Sequence, residues 1–446
     1  MARPTLPTTG ATSWDTILNN AINAVSDQAD IGAAGIFTKA RATRALVFAV
    51  DFPAALRPSA TDTGTSVWVC DGTADDVEIN AAIATVSASN TTGRGTNGGT
   101  VQLAGRAFPL AAPVKVRAQT QLRGEGMHQT FLKPTWSSTA GDPKVGAIEL
   151  DSTTLQHAAV SDLGIDGNWT FEGSGIYFAV GDSSAWDSEL RISNIYVMGV
   201  RGQGVRLVAV SPNYKLRGLS VDNLYCRDTG LNGLYTTSVD SHYYRVDVGS
   251  SGSYAAANLA AYNSLNNDTG TSARTTDTAS LAAGIYSAGA NNKFVTCKAW
   301  YSDGYGFAIR HGSRNQFVGC ESQDNFNDGF YSSSSATMYT GCMADSNGYG
   351  WTGSAYNGSG SGFRIGGSAT LSACMAFDKL ESGRAGTGSP RPAQQIYGIN
   401  IAAAVNVMGD LMTSQNATAS YGGSTPANGA INSGGNALRV LDTATP

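Results

Sequence analysis

A short motif recurs along this chain at intervals too regular for an ordinary globular core. Glycine is followed by an apolar residue, any residue and often a second apolar residue, in stretches that begin at Gly175, Gly204, Gly233, Gly284, Gly306, Gly329, Gly362 and Gly398. The shortest intervals set a basic period of about 22 residues, which indicates a solenoid or a propeller. We expect loop insertions in the longer intervals, or two periods in the longest one, from Gly233 to Gly284.

Cysteines form a second marker that keeps phase with the first. Each follows the glycine of its repeat at nearly the same distance: Cys297 after Gly284, Cys320 after Gly306, Cys342 after Gly329 and Cys374 after Gly362. A propeller blade needs about 40 residues and a leucine-rich repeat needs a leucine ladder. The shorter period instead fits one coil of a parallel β-helix. Coils stack about 4.8 Å apart, whereas the Cβ atoms of a disulfide lie about 3.8 Å apart. We therefore predict a buried ladder of reduced cysteines.

Composition excludes several classes of function. The net charge is −5 and no Lys/Arg cluster is present, which argues against a nucleic-acid partner. No stretch approaches the roughly 20 apolar residues of a membrane span, so we expect no membrane insertion. The 6 cysteines and 4 histidines have no metal-binding spacing, so neither a metal nor another cofactor is predicted. The segment 1–20 lacks the apolar core of a secretion signal, which favours assembly in the cytoplasm.

The chain divides into four predicted segments. Residues 1–40 contain an apolar helical stripe that one short helix cannot bury alone, which suggests attachment or oligomerisation. Residues 41–97 form a connector with a capping helix, for which Asp75 is a good N-cap. Residues 98–412 form the parallel β-helix, and residues 413–446 form a C-terminal tail.

Three stretches resemble known families. Residues 71–83 (DGTADDVEINAAI), followed by GGTVQL from Gly98 and LRGEG from Leu122, resemble the opening of the pectate-lyase-like superfamily. That resemblance implies an all-β, right-handed parallel β-helix with a capping helix at its N-terminal end. It implies no single activity, because the superfamily includes lyases, hydrolases, epimerases and proteins without catalysis. Residues 6–19 (LPTTGATSWDTILN) are similar to an N-terminal segment of phage tail fibre and minor tail proteins. Residues 162–168 resemble a turn frequent in β-helix glycan enzymes.

The resemblance to phage tailspikes implies a location and partners. The protein would be made in the host cytoplasm and carried on the virion tail as a homotrimer. Its N-terminus would bind phage tail or baseplate proteins, and the flank of its β-helix would bind, and possibly depolymerise, a host surface polysaccharide. One alternative is a non-catalytic receptor-binding or structural β-helix of the virion. Another is a free polysaccharide lyase or hydrolase of cellular origin.

Carboxylates near the cysteine ladder are the candidate catalytic groups. Glycoside hydrolysis uses two carboxyl groups, about 5–5.5 Å apart for retention and about 6.5–9.5 Å apart for inversion. Alignment of the coils on their cysteines places the Cα atoms of Asp303 and Asp324 about 8 Å apart. Glu321 and Asp328 belong to the same coil as Asp324. Ordinary turn chemistry explains these aspartates better than catalysis does, because Asp303 and Asp328 each precede a glycine. A lyase could add Ca²⁺, although no compact acidic cluster demands it.

Aromatic and basic side chains near these acids are the candidate contacts for a glycan. Sugar rings pack on aromatic faces, and arginine can hold a carboxylate or phosphate. The candidates are Trp300, Tyr301, Tyr305, Arg310, His311, Phe326, Tyr349 and Trp351. Some of these aromatic residues could instead stack inside the coils. Outward-facing carboxylates with aromatic residues on the rim would favour catalysis, whereas inward-facing carboxylates would favour binding alone.

Overall fold

A computed structural model of the protein describes residues 44–57, 66–87, 98–136, 145–153, 157–181, 189–210, 216–253, 280, 282–348, 360–379 and 395–401, together with short strands up to residue 443. The chain divides after Ala42 into two units, and every described residue belongs to the second. The helix predicted within residues 1–40 therefore lies outside the described residues. The division into four segments stays a prediction.

The described strands form two sheets in which all pairings are parallel. Sheet A contains β1 Arg44–Phe48, β2 Ser66–Val69, β3 Thr100–Ala104, β4 Ala107–Leu110, β6 Gln121–Arg123, β7 Phe131–Pro134, β9 Ala159–Asp166, β11 Arg191–Met198, β13 Ser220–Thr229, β15 His242–Ser251, β17 Lys293–Val295, β18 Lys298–Trp300, β20 Gln316–Val318, β21 Glu321–Gln323, β23 Thr337–Thr340, β24 Met343–Asp345, β26 Ala369–Ser372, β27 Met375–Phe377, β29 Val405–Met408, β30 Leu411–Ser414, β32 Ile431–Asn432 and β33 Val440–Thr443. Sheet B contains β5 Val114–Val116, β8 Gly146–Leu150, β10 Ser174–Val180, β12 Val205–Ala209, β14 Leu234–Thr236, β16 Ile285–Ser287, β19 Phe307–Ile309, β22 Phe330–Ser332, β25 Phe363–Ile365, β28 Tyr397–Ile401 and β31 Ala419–Gly422. This arrangement confirms the predicted parallel β-helix.

The repeat period corresponds to one coil of the solenoid. Ile285 of β16 pairs with Phe307 of β19, which pairs with Phe330 of β22. The longest interval of the motif is also a single coil, because Leu234 of β14 pairs directly with Ile285. The alternative of two periods in that interval was therefore wrong. Additional residues inserted between two strands lengthen a coil but do not change the pairing of its strands with those of the neighbouring coils.

Close contact between coils explains the repeated glycine. A Cβ atom on Gly306 would lie 2.7 Å from the carbonyl oxygen of Gly329, and one on Gly329 would lie 2.7 Å from the carbonyl oxygen of Gly362. Gly362 stands in the same relation to Gly398. Each glycine thus lies against the glycine of the next coil, where no larger residue fits without a shift of the backbone.

Stacked aromatic rings fill the interior. Tyr243, Phe294, Phe317 and Tyr339 of sheet A form one stack, with ring centroids 4.6, 4.8 and 5.2 Å apart. Phe307, Phe330 and Phe363 of sheet B form a second stack, with centroids 4.7 and 4.8 Å apart. The two stacks meet edge to face, as Phe307 and Phe317 do at 5.9 Å. Identical ring positions in successive coils follow from the in-register pairing of the strands.

The cysteine ladder is present as predicted. All four ladder cysteines are buried and free of disulfides. The thiol of Cys320 donates a hydrogen bond to the carbonyl oxygen of Phe294, and that of Cys342 donates to the carbonyl oxygen of Phe317, each at 3.4 Å. Burial raises the pKa of the Cys320 thiol well above its usual range. These cysteines therefore act as small core side chains.

A ladder of left-handed backbone conformations bends sheet A once in each coil. Thr296, Gly319, Gly341 and Ala373 have φ angles of 50°, 59°, 60° and 51°, and each immediately precedes a ladder cysteine. This conformation is uncommon for residues other than glycine. The bend separates β17 from β18 and β20 from β21, so each coil contributes two short strands to sheet A on either side of its cysteine.

The predicted capping helix, α1, extends from Asp76 to Ser87. Its buried side includes Ile79, Ala82, Ile83 and Val86. The carboxylate of Asp76 accepts a hydrogen bond from the backbone N–H of Ala111 at 2.7 Å. The helix therefore covers the first coils through both apolar packing and polar anchoring.

Parallel pairing continues near the C-terminus. β30 pairs with β33, and β28 pairs with β31. Strand pairing thus extends into residues 413–446, which were predicted as a tail. Among the described residues, no helix is long and apolar enough to cross a membrane.

Candidate functional site

The outer face of sheet B carries a column of tyrosine and arginine side chains. Side chains alternate between the two faces of a strand, and the residues that flank the column positions from Tyr177 to Arg364 are buried. The middle residue of each short strand therefore points outward. In register order the column comprises Tyr177, Arg206, Tyr235, Tyr286, Ala308, Tyr331, Arg364 and Asn400.

Three side chains in the first half of this column are closed to solvent, whereas the fourth, Tyr177, is half-buried. Arg206 and Tyr235 are fully buried, and Tyr286 is 1% exposed. The guanidinium carbon of Arg206 lies 4.7 Å from the ring centroid of Tyr235, which stacks on Tyr286 at 4.7 Å. A second apolar cluster surrounds these rings. Arg206, Tyr235 and Tyr286 therefore support the fold and offer no open surface to a ligand.

The second half is partly open and centres on Tyr331. The guanidinium carbons of Arg310 and Arg364 lie 5.1 and 5.4 Å from the Tyr331 ring centroid. Arg310 Nη1 donates a hydrogen bond to the Tyr331 hydroxyl oxygen at 2.9 Å. Tyr305, 6% exposed, stacks on the Tyr331 ring at 4.6 Å. We call Arg310, Tyr331 and Arg364 the Tyr331 patch; all three side chains are half-buried.

The chemistry of this patch suits an anion. Two guanidinium groups approach one aromatic ring from positions that solvent still reaches. The carboxyl group of Asp328, 3.7 Å from Arg364, is by contrast fully buried. Guanidinium groups bind carboxylates and phosphates in a two-pronged geometry, and a tyrosine ring can pack against the apolar face of a sugar.

Asp328, a predicted catalytic residue, supports the backbone of the next coil. It is fully buried, and its Oδ1 accepts hydrogen bonds from the backbone N–H groups of Gly360 at 2.8 Å and Ser361 at 2.7 Å. Burial raises the pKa of the Asp328 carboxyl, and this effect outweighs the opposing effects of the two donors and of Arg364. The carboxylate is closed to solvent, so its geometry favours the turn role over catalysis.

Asp324 is also buried, and the structure joins it to an acid that was not among the catalytic candidates. Lys379 Nζ lies 3.3 Å from Asp324 Oδ2 and 3.2 Å from Asp345 Oδ2. One ammonium group therefore holds the two carboxylates close together. Burial raises the pKa of Asp324, although the Lys379 charge opposes this shift. Exposed fractions of 0% for Asp324 and 6% for Asp345 leave the pair little contact with solvent.

The other predicted acids are engaged in different ways. Asp303 lies half-buried in the turn after β18, where its backbone N–H donates to the carbonyl oxygen of Ser251. Glu321 forms an ion pair with Lys298 at 2.8 Å. The backbone N–H of Asp324 bonds to the carbonyl oxygen of Asp345 in the neighbouring coil.

The predicted glycan contacts divide between the two sheets. Trp300 belongs to sheet A, where its Nε1 donates to Asp247 Oδ1 at 2.8 Å and Arg227 lies 4.8 Å above its ring. Tyr301 packs beside it, and Phe326 is 37% exposed. On the sheet B side, Arg310 is part of the Tyr331 patch, and Tyr305 stacks on the Tyr331 ring. His311 follows Arg310 in sequence. Tyr349 and Trp351 lie outside the described residues.

Sequence reasoning missed Tyr331 and Arg364, although the signal was present. Both occupy the third position of the repeated motif, after Gly329 and Gly362. Since the apolar residue just before that position faces the core, the position itself must face outward. A tyrosine followed by an arginine at this position in successive coils predicts a stacked pair on the solenoid surface.

Comparison with known proteins identifies similar folds. No protein-family model matches the sequence, and no curated protein matches it. Among solved structures, the A-module of a mannuronan C-5 epimerase from Azotobacter vinelandii is similar with a TM-score of 0.51 and 12% identity, covering 81% of this chain and 96% of that one. The DFA-IIIase of Arthrobacter chlorophenolicus A6 is similar with a TM-score of 0.50 and 13% identity, covering 90% and 92%.

A phage tailspike is also among the similar structures. The enzymatically active domain of tailspike protein 2 from bacteriophage CBA120 has a TM-score of 0.50 and 14% identity. The match covers 76% of this chain and 46% of that one. The fold therefore agrees with the resemblance to tailspikes and to pectate-lyase-like β-helices that the sequence indicated. At sequence identities of 12–14%, the similarity to these structures establishes the fold alone.

Proposed function

We propose that this protein binds an acidic polysaccharide of a bacterial surface on the flank of its β-helix, as a component of a phage tail. The observation that carries the proposal is the Tyr331 patch, in which two guanidinium groups approach one half-buried tyrosine ring on the outer face of the solenoid. A repeating polymer can lie along such a face, with an acidic group at the arginines and a sugar ring on the tyrosine.

Two further observations support the proposal. A tailspike and two carbohydrate-processing enzymes share the fold. The N-terminal segment from Leu6 to Asn19 resembles phage tail proteins, so we propose that it attaches the protein to the tail, with three copies in the spike. The burial of Asp324 and Asp328 favours binding without cleavage.

Depolymerisation is the second candidate function. It is favoured by Asp324 and Asp345, whose carboxylates are held near one another by Lys379. Both carboxylate oxygens lie close to Lys379 Nζ, so the distance between them is at most about 6.5 Å. This limit coincides with the shortest spacing of the two carboxyl groups in inverting hydrolases, about 6.5 Å. This function requires that a ligand reach two carboxylates that are now buried.

One assay distinguishes these functions. Purified protein is incubated with acidic and neutral bacterial polysaccharides, and binding, new reducing ends and absorbance from unsaturated products are followed together. Binding of acidic polymers without new ends supports the proposal, and new ends that disappear in Asp324→Asn support hydrolysis. Absence of binding to every acidic polymer of a broad panel would contradict both functions.

The substitution Arg310→Ala tests the Tyr331 patch. The matched control is Arg191→Ala, which removes an exposed arginine of sheet A. A charged hydrogen bond contributes about 1.5–3 kcal/mol, so loss of Arg310 should weaken binding roughly 10- to 100-fold. The control should bind as the unchanged protein does. Equal affinities for both variants would remove the patch from the proposed site.

A further inference from the structure

Three potential metal ligands meet where the first coils join the capping helix. β2 ends at Val69, Cys70 follows it, and a short turn leads into α1. Cys70, Asp75 and Glu78 each offer a ligand atom, and these atoms all lie within 4.8 Å of one another. The turn brings together residues that share no metal-binding spacing in the sequence.

This cluster is desolvated and incompletely hydrogen-bonded. Cys70 is 3% exposed and Asp75 is fully buried. Asp75 Oδ1 accepts the backbone N–H of Gly72 at 2.8 Å, within the turn that precedes the helix. Asp75 Oδ2 and Glu78 Oε2 are buried, and neither has a hydrogen-bond partner among the described residues. The turn contact thus accounts for one oxygen of Asp75 and leaves the other without a partner among the described residues. Buried polar atoms of this kind require a partner such as water or an ion.

The charges at the cluster point to a cation as that partner. Cys70, Asp75 and Glu78 bring three acidic side chains into one space that solvent reaches poorly. The described residues place no lysine or arginine in an ion pair with the two carboxylates. A divalent cation would neutralise most of this charge and provide a partner for both unpaired oxygens.

We infer that Cys70, Asp75 and Glu78 bind a divalent transition metal, with zinc as the ion that best fits the ligand set. A thiolate selects zinc over calcium or magnesium, which prefer oxygen ligands. Zinc requires about 2.3 Å to sulfur and about 2.0–2.2 Å to oxygen, so the ligand atoms would move together by roughly 1 Å on binding. The fourth position would be filled by water or a backbone carbonyl oxygen.

The site would have a structural role. Cys70 belongs to the end of β2, whereas Glu78 belongs to the first turn of α1. A metal bound to both joins the capping helix to the sheet that it covers. Metal binding would therefore stabilise this end of the solenoid, because an ion that binds only the folded state adds its binding free energy to folding.

The test measures metal binding by the full-length protein. The protein is treated with a chelator, incubated with Zn²⁺ or Co²⁺, desalted and analysed for metal content, thiolate-to-cobalt charge-transfer absorbance and melting temperature. We expect one ion per chain, a charge-transfer band with Co²⁺ and a higher melting temperature with Zn²⁺.

Variants separate the site from other cysteines. Cys70→Ser should abolish the charge-transfer band, and Glu78→Gln, at a half-buried position, should reduce metal retention at least tenfold. Cys226→Ala, which removes another buried thiol, should retain both signals. If the unchanged protein holds no more metal than Cys70→Ser and gives no charge-transfer band, the inference is overturned, and a proton shared among the acids explains the cluster.

Discussion

Replacement of Asp328 by alanine should destabilise the solenoid far more than replacement by asparagine. Both backbone donors, Gly360 and Ser361, bond to the same oxygen, Oδ1. Asparagine keeps a carbonyl oxygen at that position, whereas alanine leaves two buried N–H groups without acceptors. Each unsatisfied group costs about 1–3 kcal/mol, so we expect a loss of about 2–6 kcal/mol for Asp328→Ala. Asp328→Asn should lose about 1–2 kcal/mol, because the acceptor oxygen is kept and only the charge opposite Arg364 is lost.

The assay is equilibrium unfolding in urea, with the slope of the transition compared between variants to check that the same structure unfolds. Asp222→Ala is the control, since it removes an exposed aspartate that is paired with Arg245; an exposed ion pair contributes about 0–1 kcal/mol. Equal losses for the alanine and asparagine variants would refute the structural reasoning. A fully stable Asp328→Asn that has lost polysaccharide cleavage would restore the catalytic role.

Three other substitutions test the fold. Phe317→Ala removes a ring stacked between Phe294 and Tyr339 and should cost about 3–5 kcal/mol in urea unfolding; a loss below about 1 kcal/mol would contradict the stack. Gly329→Ala places a Cβ atom 2.7 Å from the next coil and should lower the melting temperature, whereas an unchanged temperature would contradict the close contact. Burial raises the folded-state pKa of Asp324, so its contribution to stability is largest below the unfolded pKa and is lost as pH rises through the raised value. Asp324→Asn should flatten this part of the melting-temperature profile, and an unchanged profile would contradict the shift.

The solenoid could be predicted from the sequence because its coils repeat identical contacts. Gly306, Gly329 and Gly362 occur in phase since each lies against the next, and the cysteines occur in phase since each follows the same bend. The interval from Gly233 to Gly284 was ambiguous for a physical reason. Spacing alone cannot distinguish an inserted loop from an additional coil; only the pairing of Leu234 with Ile285 does so.

The site was harder to predict because the exposure of a side chain on a coil depends on which other residues pack over it. Alignment on the cysteines locates Asp324 along its coil, but it carries no information on burial. The contact between Asp324 and Lys379 joins residues 55 positions apart, a separation set by insertions that the repeat does not encode. The outward position of Tyr331 and Arg364 could be predicted from the alternation of side chains along a strand. They were missed because the candidate residues were acids and aromatic residues expected near turns.

The most direct test of the proposed function compares one polysaccharide in two forms. An acidic polymer that the protein binds is reduced at its carboxyl groups to give a neutral polymer of the same sugars, and both are titrated against the unchanged protein and Arg310→Ala. We expect carboxyl reduction to weaken binding by the unchanged protein roughly 10- to 100-fold, and to have little effect on Arg310→Ala. The same weakening in both proteins would show that the acid is bound elsewhere and would contradict the assignment of the Tyr331 patch.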